Sequence, residues 1–175
     1  MEKNVWYEEV MGSDLEQGDI LTDCPTYHPI YPGSSATNTV SVLRNDFDLV
    51  VLSQSCDLVT GREKLANVVL CPFFSKQAIE ADSVHPLSRK GAIANAAKNK
   101  EPAFFVLDAY QGDGVALQLC VVHFRQVLTI PLPFLRSLVS ERGTRLRLRS
   151  PYREALATRF ANFFSRVALP REAQV

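Results

Sequence analysis

The sequence is poor in the features that mark several large protein classes. No apolar run approaches the ~20 residues that a membrane helix needs, and the N-terminus lacks the basic, apolar and small-residue order of a secretory signal. The four cysteines, Cys24, Cys56, Cys71 and Cys120, form no CxxC pair, which argues against a zinc ribbon and a secreted disulfide framework alike. No phosphate-cradling glycine loop is present, since QGDG at 111–114 carries no lysine and opens no helix. Repeats and low-complexity tracts are absent too. These absences lead us to expect a soluble, cytoplasmic protein with free thiols, no membrane partner, no metal and no cofactor.

Net charge is also missing, because 19 basic side chains balance 19 acidic ones. The balance hides an asymmetry. Residues 1–60 hold ten acidic side chains against Lys3 and Arg44, whereas residues 136–175 hold nine arginines against Glu141, Glu154 and Glu172. Such ends either neutralise each other inside the fold or are shared with a partner, and a basic arm can follow a phosphate backbone.

What is present suits one core. A chain of 175 residues, 46% of them hydrophobic, fills a single domain over 1–175. LEQGDIL at 15–21 reads as a first strand entered through Gly18. Pro25, Pro29, Pro32 and Gly33 predict a long ordered loop over 22–38. TVSVL at 39–43 and DLVVLS at 48–53 read as strands of a hairpin turning at Asn45 and Asp46. ANVVLC supplies the next strand, ended by Pro72. Alanine- and lysine-rich segments around 75–84 and 87–100 predict two helices, and FFVLDAY and VALQLCVVHF predict two strands joined by QGDG. PLPFLRSLVSERG predicts a helix stopped at Gly143. In TRLRLRS, Arg145, Arg147 and Arg149 alternate with Leu146 and Leu148, the pattern of a half-buried strand with a basic outer face. Ser150 and Pro151 open a last helix whose Leu156, Phe160, Phe163, Phe164 and Val167 recur at helical spacing and predict core docking.

The GDI strand start, the long loop, the hairpin running into VVLS and the following VVLCP strand together resemble the small barrel of the MazF and PemK toxins, over residues 15–75. The resemblance implies a small SH3-like barrel, and together with the helices read above it leads us to expect an α+β fold: a small, strongly bent antiparallel SH3-like β-barrel with inserted helices and a packed C-terminal helix. It also implies a homodimer, an RNA substrate cut without a metal, and an antitoxin as protein partner. In that family an arginine and a proline precede the VLS strand, where this chain has Phe47 and Asp48; Arg44 is the nearest basic substitute. Ser75 corresponds to the serine or threonine that follows the next strand.

The chemistry of the same region can be read without the family. Metal-free RNA cleavage needs a base for the 2′-hydroxyl and a cation for the phosphorane. His28 is a candidate base, and Arg44, Arg62 and Lys64 are candidate cations. Arg145, Arg147 and Arg149 are candidate phosphate contacts, because alternate strand residues are spaced by ~6 to 7 Å. A cysteine nucleophile is a further reading, with Cys56 deprotonated by His28, His85 or His123 beside Gln54. Asp57 opposes it by raising the thiol pKa, so Cys56 also reads as an architectural residue at a strand end. A zinc site from Cys24, His28, Cys56 and Cys71 has no diagnostic spacing. The rival to all of these is a non-catalytic interaction module with acidic and basic docking faces.

Overall fold

A computed structural model describes residues 6–30 and 41–165. The described chain is α+β. Its mainly antiparallel sheet is built from β1 (Tyr7–Val10), β2 (Asp19–Ile30), β3 (Ser41–Val51), β4 (Asn67–Ser75), β5 (Phe104–Leu107), β8 (Cys120–His123), β9 (Leu128–Pro131) and β10 (Arg145–Leu148), while β6 (Tyr110–Gln111) and β7 (Ala116–Leu117) form a separate pair. Four helices accompany it: α1 (Lys76–Ala81), α2 (Ala92–Ala97), α3 (Leu132–Arg142) and α4 (Tyr152–Phe164). The strand order is β1-β10-β2-β3-β4-β8-β5, with β9 also paired to β4. Among the described residues β1 and β5 end this path without pairing to each other.

The centre of the sheet is buried on both faces, which explains the uninterrupted LVVL run. Along β3 and its extension, Val50 and Leu52 enter a core with Phe73, Phe124, Leu146, Leu148 and Leu156, against which Phe160 and Phe163 of α4 pack. Leu49 and Val51 point the opposite way, into a core with Val68, Leu70 and Ile130 that α3 covers with Leu132, Leu135 and Val139. Alternation puts neighbouring residues on opposite faces, so a strand covered on both sides must be apolar at every position. A third cluster joins Ile79 of α1, Ala96 of α2, Phe104 and Val121. The last helix docks through Leu156, Phe160 and Phe163 of the expected spacing, whereas Phe164 is exposed and the helix opens at Tyr152, after Pro151, with no side-chain cap from Ser150.

Pro72 does not end its strand, since β4 runs through it to Ser75 and pairs Pro72 with Leu49, and three further expectations need correction. The loop foreseen over 22–38 is strand as far as Ile30, and His28 lies on that strand. Pro25 and Pro29 tolerate this because β2 beyond Leu21 has β3 on one side and no strand on the other among the described residues; an amide-free residue costs nothing on an unpaired edge. Second, no hairpin turns at Asn45 and Asp46, since β3 runs straight through them and pairs from Ser41 to Val50 with β2. The β-branched and aromatic residues on either side outweigh the turn tendency of two polar ones. The remainder of the expected loop, 31–38, lies outside the described residues, as does Val167.

Third, the arginine strand has no basic outside. All four residues of β10 are buried, because β1 covers one edge, β2 the other, and the chain preceding β2 folds over the arginine face. β1 itself is absent from the sequence reading, since its YEEV has two exposed glutamates and too little apolar character to stand out. Gly18 makes the junction possible. It sits at φ +86°, its amide donates to Val51 O and its carbonyl accepts from Leu148 N. A Cβ there would meet Leu148 Cβ at 3.0 Å, so glycine satisfies both the backbone conformation and the close approach.

Candidate functional site

Asp19, fully buried at the start of β2, is the centre of the charged region. Arg145 Nε donates to its Oδ2 at 2.9 Å, and Arg147 donates to both carboxylate oxygens. Arg147 Nη1 reaches Glu16 Oε1 at 2.7 Å, and Arg153 Nη1 reaches Glu16 Oε2 at 3.4 Å. The remaining guanidinium donors go to main-chain carbonyls: Arg145 to Gly12 and Asp14, and Arg147 to Asp14. Two buried guanidiniums are thus paired with acidic side chains and have a hydrogen-bond partner at every nitrogen, the condition under which burial of charge is tolerated. Arg149 is the exposed one of the three.

Arg44, His28 and Ser75 occupy different surfaces. On the paired strands β2 and β3, Tyr27 lies opposite Arg44 and His28 opposite Leu43; directly opposed residues share a face and adjacent ones do not, so Arg44 and His28 project to opposite sides. Arg44 pairs with Asp46 at 3.0 Å. His28 meets the Thr26 hydroxyl at 3.2 Å and the edge of Phe47. Ser75 ends β4 and caps α1, its Oγ accepting from Ala78 N at 3.1 Å. No hydrogen bond links any two of the three.

Cys56 lies in a single 3-10 turn, Ser55–Asp57, and is exposed. Its thiol donates towards Gln54 Oε1 and Asp57 Oδ1, both at 3.6 Å, and none of its hydrogen bonds involves a histidine. The architecture around it is carried by its neighbours: Ser55 Oγ accepts from Gln17 N and Ser53 Oγ from Val69 N. Asp57 itself pairs with Lys64 at 3.3 Å, while Arg62 is exposed. Cys24, Cys71 and Cys120 are buried, and burial pushes each thiol up to about 12, which keeps them protonated at neutral pH. No group of three or more His, Cys, Asp or Glu placed to hold a metal ion occurs among the described residues.

His85 and His123 form a second polar cluster. Their ring centroids are 5.9 Å apart, and His123 stacks on Phe104 at 4.8 Å. Leu87 N donates to His85 Nδ1 at 3.1 Å, while His85 Nε2 and both ring nitrogens of His123 are buried without a hydrogen bond. Desolvation, followed by the neighbouring His85 and Arg125, lowers the pKa of His123 to about 4; burial lowers that of His85. The unfolded chain then takes up protons first as pH falls below the ordinary histidine value of ~6.5, so the stability from neutral His123 is complete above that pH and is lost towards about 4. We expect denaturation midpoints to fall across this window in wild type, and the fall to be shallower in His123→Phe. Equal slopes would refute the assignment.

No family model matches the chain, and neither a curated protein nor a solved structure matches it.

The remaining surface feature is an arm formed by Cys24–Ile30 of β2 and Ser41–Asp48 of β3. β4 pairs with β3 only from Leu49 to Val51, so the opposite edge of β3 from Ser41 to Asp48 carries no strand among the described residues. Tyr27, Ile30, Val42 and Leu43 on the arm are exposed. Its base is fixed to the body. Cys24 is fully buried, Phe47 packs on the α3 side of the core, and Thr26 Oγ1 donates to Asn45 O at 3.0 Å. On the free side of β2, Pro25, Tyr27 and His28 face Val127, Ile130 and Phe134 across a groove of about 500 Å³. Sequence reasoning missed the arm because its two signals, prolines in β2 and Asn-Asp in β3, are turn signals.

Proposed function

We propose that this chain is a non-catalytic protein-interaction domain whose working surface is the β2–β3 arm rather than its charged ends. The observation that carries this reading is the pairing of exposed apolar side chains with an unpaired backbone edge on one projecting element. An exposed edge of this kind is a template for another strand. Part of the charge asymmetry is spent within the fold, since Asp19 and Glu16 from the acidic end engage Arg145, Arg147 and Arg153 from the basic end. Arg44, His28 and Ser75 lie on separate surfaces and offer no shared base and cation for RNA cleavage. With this function we read the bent sheet as an open relative of the SH3-like barrel; support comes from the antiparallel order β10-β2-β3-β4 and the helix packed against it.

Replacing Val42, which is 56% exposed on the arm, by a photo-crosslinking amino acid tests the reading in cells. The expected products are protein adducts that resist ribonuclease, formed at position 42 and not at the control position Val84, which is 88% exposed. Adducts collapsed by ribonuclease would instead support the toxin-like, RNA-binding alternative. RNA affinity falling steeply with salt would support the same alternative.

A further inference from the structure

The partner of the arm can be specified from the sequence of its free edge, an argument that rests on the interaction reading above. We infer that the free edge of β3 pairs antiparallel with the same edge of a second copy of this chain, on a two-fold axis through Asn45. A two-fold contact of this type brings residue i of one copy opposite residue j of the other and j opposite i. Centred on Asn45, the register sets Arg44 opposite Asp46 of the second copy, twice. It also sets Leu43 opposite Phe47, twice, and Asn45 opposite itself. Directly opposed residues share a face, so both charge pairs form on the face that bears Tyr27 and Val42. The Leu43 and Phe47 pairs form on the other face.

The edge is therefore complementary to itself in both charge and hydrophobicity. Arg44 and Asp46 already contact each other within one copy at 3.0 Å, with side chains 60% and 46% exposed, so an incoming edge finds both groups at the surface. Leu43 is 48% exposed, and in this register its apolar area is covered by a half-buried aromatic ring. An isolated two-stranded ribbon is marginal in water, whereas a four-stranded one supports itself. Joining two arms makes β2-β3-β3-β2 continuous across the axis and removes the unpaired edge from both copies.

Charge reversal across the axis tests this register. Purified wild type, Arg44→Asp, Asp46→Arg and a one-to-one mixture of the two variants are compared by sedimentation equilibrium up to ~200 μM, a range that captures micromolar association. Wild type is expected at twice the monomer mass. Each variant alone is expected as a monomer, because like charges then face each other at both pairs. In the mixture one copy supplies two acids and the other two bases, so complementarity returns across the axis although neither copy regains its internal pair. Recovery of the doubled mass in the mixture is thus specific to the contact between copies. Far-UV circular dichroism spectra that match wild type show that the fold of both variants is intact, as expected for exposed groups, while the loss of association lowers their melting temperatures relative to wild type at high concentration.

A monomeric wild type, variants that remain dimeric, or a mixture that stays monomeric would each overturn the inference. If wild type is monomeric while position 42 still gives ribonuclease-resistant adducts in cells, the second copy is the wrong partner and the interaction reading stands. Ribonuclease-sensitive adducts at position 42 sink that reading itself.

Discussion

Replacing Asp19 by alanine should destabilise the fold by ~3 to 5 kcal/mol, because it leaves the guanidiniums of Arg145 and Arg147 buried with their shared carboxylate removed. Both arginines are less than one-tenth exposed and both donate to Asp19. Their bonds to the carbonyls of Gly12 and Asp14 persist but carry no negative charge. Glu16 remains as a partner for Arg147, so Arg145 bears the larger part of the loss. The double variant Asp19→Ala/Arg145→Met should be less destabilised than Asp19→Ala alone, since it removes one of the uncompensated cations along with the anion. Urea denaturation measures both. A loss below ~1 kcal/mol for Asp19→Ala, the range of an exposed ion pair, would show that water reaches the cluster.

A loss of similar size, ~3 to 5 kcal/mol, is expected for Phe124→Ala through lost transfer energy and the cavity left behind. Phe124 is fully buried, meets Phe160 edge-to-face at 5.6 Å and lies 6.1 Å from Phe163. Its amide donates to Ala103 O, which fixes the backbone while the ring holds α4 against the sheet. Val84→Ala, at an exposed position, should stay within ~0.5 kcal/mol. Loss of helical circular dichroism at a lower temperature than sheet signal in Phe124→Ala would locate the damage at α4. An unchanged melting temperature would mean that α4 docks without this ring.

How far the sequence could be read depended on whether the signal was local. The docking of α4 was legible because Leu156, Phe160 and Phe163 repeat at the helical period on one element. Gly143 likewise marks the end of α3, with φ +78°. β10 was legible as a strand from its alternation, but alternation cannot say which face is wet. That depended on Asp19 and Glu16, more than 120 residues away. The arm failed for the opposite reason. Pro25 and Pro29 normally break a ladder, and only knowledge of an unpaired edge on β2 converts them into permitted residues. Arg44, His28 and Ser75 were nominated for their chemistry, and linear proximity could not tell that a two-residue period sends Arg44 and His28 to opposite faces.

The antiparallel seam between β1 and β10, continued from β10 to β2, has a consequence for synthesis on the ribosome. Asp19 leaves the exit tunnel 126 residues ahead of Arg145, so β2 has no partner on its β10 side for most of translation. Until then the Asp19 carboxylate stays hydrated and the N-terminal strand has nothing to pair with. The β2–β3 ribbon and β4 can assemble early from near neighbours, whereas closing the β1-β10-β2 seam demands contacts between the two extremes of the chain, the kind that slow folding. A ribosome stalled before β10 should carry a nascent chain with the first hairpin formed and its amino-terminal strand still open to proteases.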